Sequence, residues 1–240
     1  MPTLNSTNKF SVWCTHEPPE PPLLPLSESQ SQFNKIAALN YEHARIASID
    51  ERKHLAVGEK MGALVYGEVT FDSMRKILKR AFDLRSDPEV NMLSEGDDDL
   101  IFCDLGSGAG RPVFASACCY PFKKSVGVEL LSSLHDLALR AKQDWDANVD
   151  LSHKTAIEFY HGNIFDLSVY NWTGADIILV NSTCFTDAMM RDLSVLAKIR
   201  PSCIMITFTQ ALESSLFEVI GTNRWEMSWG EADVYYHKRL

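Results

Sequence analysis

The residues best suited to hold a reactive ligand lie in Ile101-Phe102-Cys103-Asp104-Leu105-Gly106-Ser107-Gly108-Ala109-Gly110, an apolar run that ends in an acid and opens onto a glycine turn. Glycines adopt positive φ at little cost and let the backbone approach a ligand, while a following helix start presents unpaired N–H groups to a carboxylate. Asp104, at the strand tip, can accept from the cationic end of the same amino-acid ligand. Ser125-Val126-Gly127-Val128-Glu129 repeats the arrangement of a short apolar strand ending in an acid. A carboxylate there can take both hydroxyls of a ribose, through charge-assisted bonds worth roughly 1.5–3 kcal/mol each. The turn is Gly-x-Gly-x-Gly, which leans away from the Gly-x-Gly-x-x-Gly of NAD sites.

Two further segments complete the candidate site. In His161-Gly162-Asn163-Ile164-Phe165-Asp166, Asn163 can bond the exocyclic amine of an adenine, and Ile164 or Phe165 can cover its ring. Asp176-Ile177-Ile178-Leu179-Val180-Asn181-Ser182-Thr183-Cys184-Phe185 ends a strand beside the expected transfer site. It is not the Asn-Pro-Pro-Tyr/Phe signature of enzymes that methylate the amino group of adenine or glutamine, which demotes a nucleic-acid base as substrate. The histidines have no serine or cysteine partner pattern, and no metal-ligand spacing occurs.

These residues need an alternating α/β framework to bring them together. The patterns predict strands near 100–104, 124–129, 156–160, 175–180 and 203–208, with helices near 110–119, 131–147, 186–197 and 210–220. Such alternation means parallel strands joined by right-handed crossovers. Final strands near 223–229 and 232–238, separated by Gly230-Glu231, must form an antiparallel hairpin. Upstream, Phe33, Ile36, Ala37, Tyr41 and Ala44 recur at helical spacing, and Ser48-Ile49-Asp50-Glu51 resembles a capping box opening a second short helix. A helix through Met74, Ile77, Leu78 and Phe82 carries Arg75, Lys76, Lys79 and Arg80 on its other side, a solvated face or a contact for phosphate or acid.

Residues 1–30, with Glu17-Pro18-Pro19-Glu20-Pro21-Pro22, read as a proline-rich, partly disordered arm; 31–60 form a helical lead-in; 61–240 form the catalytic domain. No apolar run approaches a membrane span, so a soluble intracellular protein is expected. The 6 cysteines include no Cys-x-x-Cys pair and suit buried thiols in a reducing compartment. A net charge of −9 opposes strong binding to free nucleic acid and suits a basic protein partner.

Val65-Tyr66-Gly67-Glu68, Asp104 through Gly110, Gly127-Val128-Glu129, Gly162-Asn163, Val180-Asn181, Phe185 and Ser228-Trp229-Gly230 with Val234-Tyr235-Tyr236 resemble the Dot1 family of histone H3 lysine methyltransferases, in order and nearly in spacing. The resemblance covers roughly residues 60–239. It implies a seven-stranded, mostly parallel, Rossmann-like sheet closed by the hairpin, with S-adenosylmethionine as cofactor and S-adenosylhomocysteine as product. By the same resemblance, Tyr66 and Glu68 close over the methionine part, above Asp104, Gly106, Ser107, Gly108 and Gly110. Glu129 takes the ribose, and Asn163, Ile164 and Phe165 meet the adenine. Asn181 belongs to the transfer site, and Phe185 with one of Tyr235 or Tyr236 to the lysine channel.

Departures from the family pattern fall mainly on the acceptor side: Ser182 replaces a second asparagine and Thr183 stands where an aromatic is usual. Leu130 replaces a lysine after the ribose acid, and Val69 a threonine. The expected activity is methyl transfer to a histone H3 lysine, as a monomer acting on histone or nucleosome in the nucleus. The alternatives are a lysine of a nonhistone protein, met in the nucleus or the cytoplasm, or a cofactor-binding interaction protein without catalysis.

Overall fold

The computed structural model describes residues 23–54, 67–90, 99–153 and 155–240. Seven strands, β1 (Ile101–Leu105), β2 (Lys124–Glu129), β3 (Ala156–His161), β4 (Ile177–Val180), β5 (Ile204–Phe208), β6 (Phe217–Met227) and β7 (Gly230–Arg239), make one sheet. Its order is β3-β2-β1-β4-β5-β7-β6. The first five strands are parallel, and β7 runs antiparallel to both β5 and β6. Because β1 lies between β2 and β4, the connections diverge there, and a crevice opens at the carboxyl ends of these strands.

The inner strands β1, β2, β4 and β5 are buried on both faces because helices cover both. Helices α1 (Leu26–Phe33), α2 (Tyr41–His54), α3 (Phe71–Arg85), α4 (Arg111–Cys119), α5 (Ser132–Asn148) and α6 (Asp187–Leu196) surround the sheet. Strand alternation divides the interior: Phe102, Ile177 and Leu179 pack with α1, α3 and α4, whereas Cys103, Ile178 and Val180 pack with Trp172 and Leu193 of the opposite layer. Helix α3 starts where the Thr70 hydroxyl accepts the Ser73 N–H, and it buries Met74, Ile77, Leu78 and Ala81. On its polar side Lys79 pairs with Asp83 at 3.2 Å, while Lys76 Nζ lies 5.6 Å from the centre of the Trp225 ring on β6.

Three expectations need correction. The segment expected as a helix over 210–220 is not helical, and Phe217–Met227 forms β6. Phe217 pairs with Arg239 and Glu218 with Lys238, so only a short link remains to cross the height of the sheet; an extended chain covers that height, but a helix rising about 1.5 Å per residue does not. Side chains satisfy the link's backbone instead: Leu212 N–H donates to His237 Nε2 at 3.1 Å, and Glu213 N–H to Ser194 Oγ at 3.0 Å.

The second correction concerns Ser48 and Glu51. Ser48 lies inside continuous α2 and donates to the Arg45 carbonyl at 2.8 Å. Glu51 instead caps α5, accepting the N–H groups of Ser132 at 2.9 Å and Ser133 at 2.8 Å. Burial pushes its carboxyl up, but the hydrogen bonds from Ser133 and Ser132 outweigh this and hold it below the ordinary value. The third is the boundary of the arm: α1 begins at Leu26, and Leu24 N–H already donates to the Cys119 carbonyl at 2.8 Å. The proline-rich stretch up to Pro22 lies outside the described residues. Among the described residues, no helix is long and apolar enough to cross a membrane.

Candidate active site

The glycine turn after β1 is built from left-handed backbone, with φ of +86° at Gly106, +56° at Gly108 and +88° at Gly110. The N–H groups of Gly106 and Ser107 donate to the Val128 carbonyl at 2.8 and 3.0 Å, which ties the turn to β2. A Cβ on Gly106 would meet nothing within 4 Å, because this residue floors the crevice. A Cβ on Gly110, which caps α4, would lie 2.6 Å from the Phe159 ring.

Both acids flank this turn. Glu129 is buried and accepts Gly108 N–H at 2.7 Å on one oxygen and Leu131 N–H at 2.8 Å on the other. Desolvation raises its pKa, against the lowering effect of those backbone bonds. Asp104 is also buried, and among the described residues its Oδ2 has no hydrogen-bond partner. Burial, and secondly the Glu129 charge, push its carboxyl well above the ordinary value. An unpaired buried acceptor of this kind is costly, and a ligand's ammonium group supplies the missing donor.

The crevice has two lobes that share Gly67, Gly106 and Asn181. The smaller lies over Asp104, Ser107 and Gly108 and includes Glu68 and Arg111. The larger encloses about 720 Å³ open to solvent, between Leu131 and Leu134 on one side and Ile164, Phe165 and Phe185 on the other. Asn163 is exposed at its rim, where its Oδ1 accepts the Phe165 N–H at 3.0 Å. That bond leaves Nδ2 as the free donor, which suits a ring nitrogen acceptor better than an exocyclic amine.

Over the smaller lobe, Glu68 meets Arg111 with Oε2 to Nε at 2.6 Å. Arg111 also donates to the Leu39 carbonyl at 3.0 Å, and its guanidinium lies 5.3 Å from the centre of the Phe33 ring. Sequence reading missed Arg111, although a basic residue directly after the third glycine, at the helix start, was a visible signal. Leu131, Leu134 and Met189 were missed as well, since core and cleft leucines look alike in a sequence. Tyr66 lies outside the described residues.

The model of the histone methylation protein DOT1 family matches residues 45–229. This chain belongs to the DOT1 family. No individual curated protein sequence matches it. Among solved structures, TrmN from Thermus thermophilus is 16% identical with a TM-score of 0.50, covering 76% of this chain and 52% of its own. The DOT1-family chain thus spans about half the length of that protein, and the likeness bears on the fold alone. Magnesium protoporphyrin IX methyltransferase (ChlM) from Synechocystis PCC 6803, solved with bound SAM, is 15% identical with a TM-score of 0.44, covering 81% of this chain and 97% of its own.

The cofactor of the DOT1 family is S-adenosylmethionine, and the residues present fit it. The unpartnered Asp104 oxygen and the open floor at Gly106 suit the amino-acid end, while Glu129 and the larger apolar lobe suit the adenosine end. Asn181 and Phe185 also line the larger lobe, and the Phe185 ring lies 6.4 Å from that of Phe165. Ser182 is buried and structural: its hydroxyl donates to the Phe208 carbonyl at 2.8 Å and accepts the Phe208 N–H at 3.0 Å.

Neither hairpin tyrosine lines a lobe of the crevice. Tyr236 is withdrawn from the candidate channel. It is fully buried in the core that includes α3, opposite Ile206 of β5, and burial pushes its hydroxyl up to about 12. Tyr235 pairs with Thr207, points to the other face by strand alternation and is only half-buried.

Proposed function

We propose that this chain is a protein-lysine N-methyltransferase that uses S-adenosylmethionine and acts on a lysine of histone H3 in the nucleosome. The observation that carries the reading is buried Asp104, whose Oδ2 has no partner among the described residues, beside ribose-competent Glu129, in a chain whose DOT1 match spans residues 45–229. Glu68 covers the methionine end, Gly106, Ser107, Gly108 and Gly110 lie beneath it, and Asn163, Ile164 and Phe165 receive the adenine.

When bound, S-adenosylmethionine supplies a methyl group on a positively charged sulfur, whose charge also disfavours a protonated amine beside it. The attacking lysine must be neutral, and removing its proton at pH 7 from a pKa near 10.4 costs roughly 4.6 kcal/mol. A carboxylate at the amine would hold the ammonium form; an apolar aromatic wall does the reverse. Phe185, which lines the larger lobe, contributes to that wall, and Asn181 orients the amine without serving as a strong base. The net charge of −9 suits the basic surface of a histone partner, met as a monomer in the nucleus.

The test is labelled methyl transfer to free histones, nucleosomes and a cell extract in parallel, with the labelled residue mapped. Label on nucleosomal H3 is the expected result, and label confined to another protein overturns the choice of substrate. A nonhistone lysine is the second reading, favoured by a hydroxyl rather than a ring at Thr183. In the same assay, Asn181→Ala is expected to cut turnover far more than cofactor affinity; equal losses would remove its assigned role.

A further inference from the structure

The loops after β4 and β5 are joined by side chains at three consecutive levels. Ser182 and Phe208 bond each other twice, the Thr209 hydroxyl reaches Thr183 Oγ1 at 3.4 Å, and Gln210 Nε2 donates to the Phe185 carbonyl at 3.2 Å. Within this seam Thr183 Oγ1 donates to Asn181 Oδ1 at 3.0 Å. A hydroxyl carries a single proton, so if Thr183 donates to Asn181 it can only accept from Thr209. The chain Thr209 to Thr183 to Asn181 therefore has one direction.

Thr209 is held in that chain against its backbone preference. Its φ is +67°, an outlier for a β-branched residue, and its N–H is pinned to the Asp233 carbonyl at 2.8 Å. Asn181 is the last link and lines both lobes of the crevice. A carboxamide can present either its oxygen or its nitrogen to a neighbour. Here Thr183 donates to the oxygen, which turns the NH2 group away from Thr183.

We propose that Thr183 is a positioning residue for methyl transfer, fixing the carboxamide of Asn181 through its hydroxyl. The role in transfer rests on the methyltransferase reading above; the orientation of the amide does not. Shape alone is not the device, because valine would fill the same space without donating a proton.

The experiment compares Thr183→Val, which keeps the shape and removes the hydroxyl, with Thr183→Ser, which keeps the hydroxyl. The Asn181 side-chain amide resonances are followed by ¹⁵N NMR and assigned by their loss in Asn181→Ala. They are expected to shift in T183V and to stay near wild type in T183S. In transfer assays on nucleosomes, T183V is expected to lower kcat roughly three- to tenfold, the worth of one hydrogen bond, with KM and cofactor Kd changed less than about twofold. T183S is expected to restore kcat, and T183V to add nothing in the N181A background.

Unchanged amide resonances in T183V, or an equal loss of kcat in the presence and absence of Asn181, overturns the proposal. A T183V effect seen only in melting temperature overturns it too. If wild-type protein methylates no histone or nucleosome, the functional reading fails instead, and the amide shifts still decide whether Thr183 orients Asn181.

Discussion

Glu68 and Ser228 hold each other by two hydrogen bonds: Glu68 N–H donates to Ser228 Oγ at 2.8 Å, and Ser228 N–H donates to the Glu68 carbonyl at 3.1 Å. The loop over the smaller lobe is thereby fastened to the turn of the β6–β7 hairpin. Gly67 fits there because it has no Cβ, which would lie 2.5 Å from the Trp229 ring. Ser228→Ala removes the hydroxyl to which Glu68 N–H donates, a loss of about 1–3 kcal/mol. The expected result is a melting temperature lower by several degrees together with weaker cofactor binding. Thermal scans and calorimetry check both, and an unchanged pair of values would detach the loop from the hairpin.

Gly106 and Gly110 separate two requirements on one turn. Both have φ near +90°, but a Cβ at Gly110 strikes Phe159 at 2.6 Å and one at Gly106 enters the open crevice. Gly110→Ala is expected to destabilise the fold by about 2–4 kcal/mol in urea titration. Gly106→Ala should cost only about 1 kcal/mol of stability, yet weaken cofactor binding tenfold or more, as its methyl enters the crevice proposed for the cofactor.

Asp104 makes cofactor binding depend on pH. Burial, and then the Glu129 charge, raise its folded-state pKa above the unfolded value near 3.9, so its protonated form contributes stability that is lost as pH rises through the folded value. A cationic ligand group reverses this by favouring the ionised carboxylate. Cofactor affinity is therefore expected to rise as pH climbs toward the raised value of the free protein's Asp104, with protons released on binding. Calorimetry in buffers of different ionisation enthalpy reads that release, and Asp104→Asn should abolish this residue's share of it.

His237 gives the fold an acid limit of the opposite sign. It is buried, with Nδ1 at 3.0 Å from the Met205 carbonyl and Nε2 accepting the Leu212 N–H, so the bonds require the neutral ring. Desolvation, opposed by the bond to Met205, pushes its pKa from 6.5 down to about 4. Its contribution is present above pH 6.5 and is lost as pH falls through 4, for about 3 kcal/mol in all. Denaturant midpoints across this window should fall steeply in wild type and less so in His237→Gln.

Thr209 is expected to show a conflict between stability and rate. Thr209→Gly relieves the positive φ and should raise stability by about 1 kcal/mol, while removing the hydroxyl that reaches Thr183 and slowing transfer. Paired melting and turnover measurements on one preparation test this; a faster, more stable variant would contradict it.

The sequence by itself determined the alternating framework, the glycine turn and the two strand-end acids, because those features depend on residue periodicity and on chemistry within a few positions. Tertiary structure decided the rest. Whether Tyr235 or Tyr236 can face the acceptor side depends on the β5–β7 register, which sets Thr207 beside Tyr235 and Ile206 beside Tyr236. Glu51, legible as a local cap, instead caps α5, and the segment 210–216 gave up a helix for bonds to His237 and Ser194. Arg111 joined the site only when Leu39, Phe33 and Glu68 came around it. The physical reason is shared: a polar group takes whichever partner the folded chain brings within reach, and spacing along the chain does not say which remote segment that is.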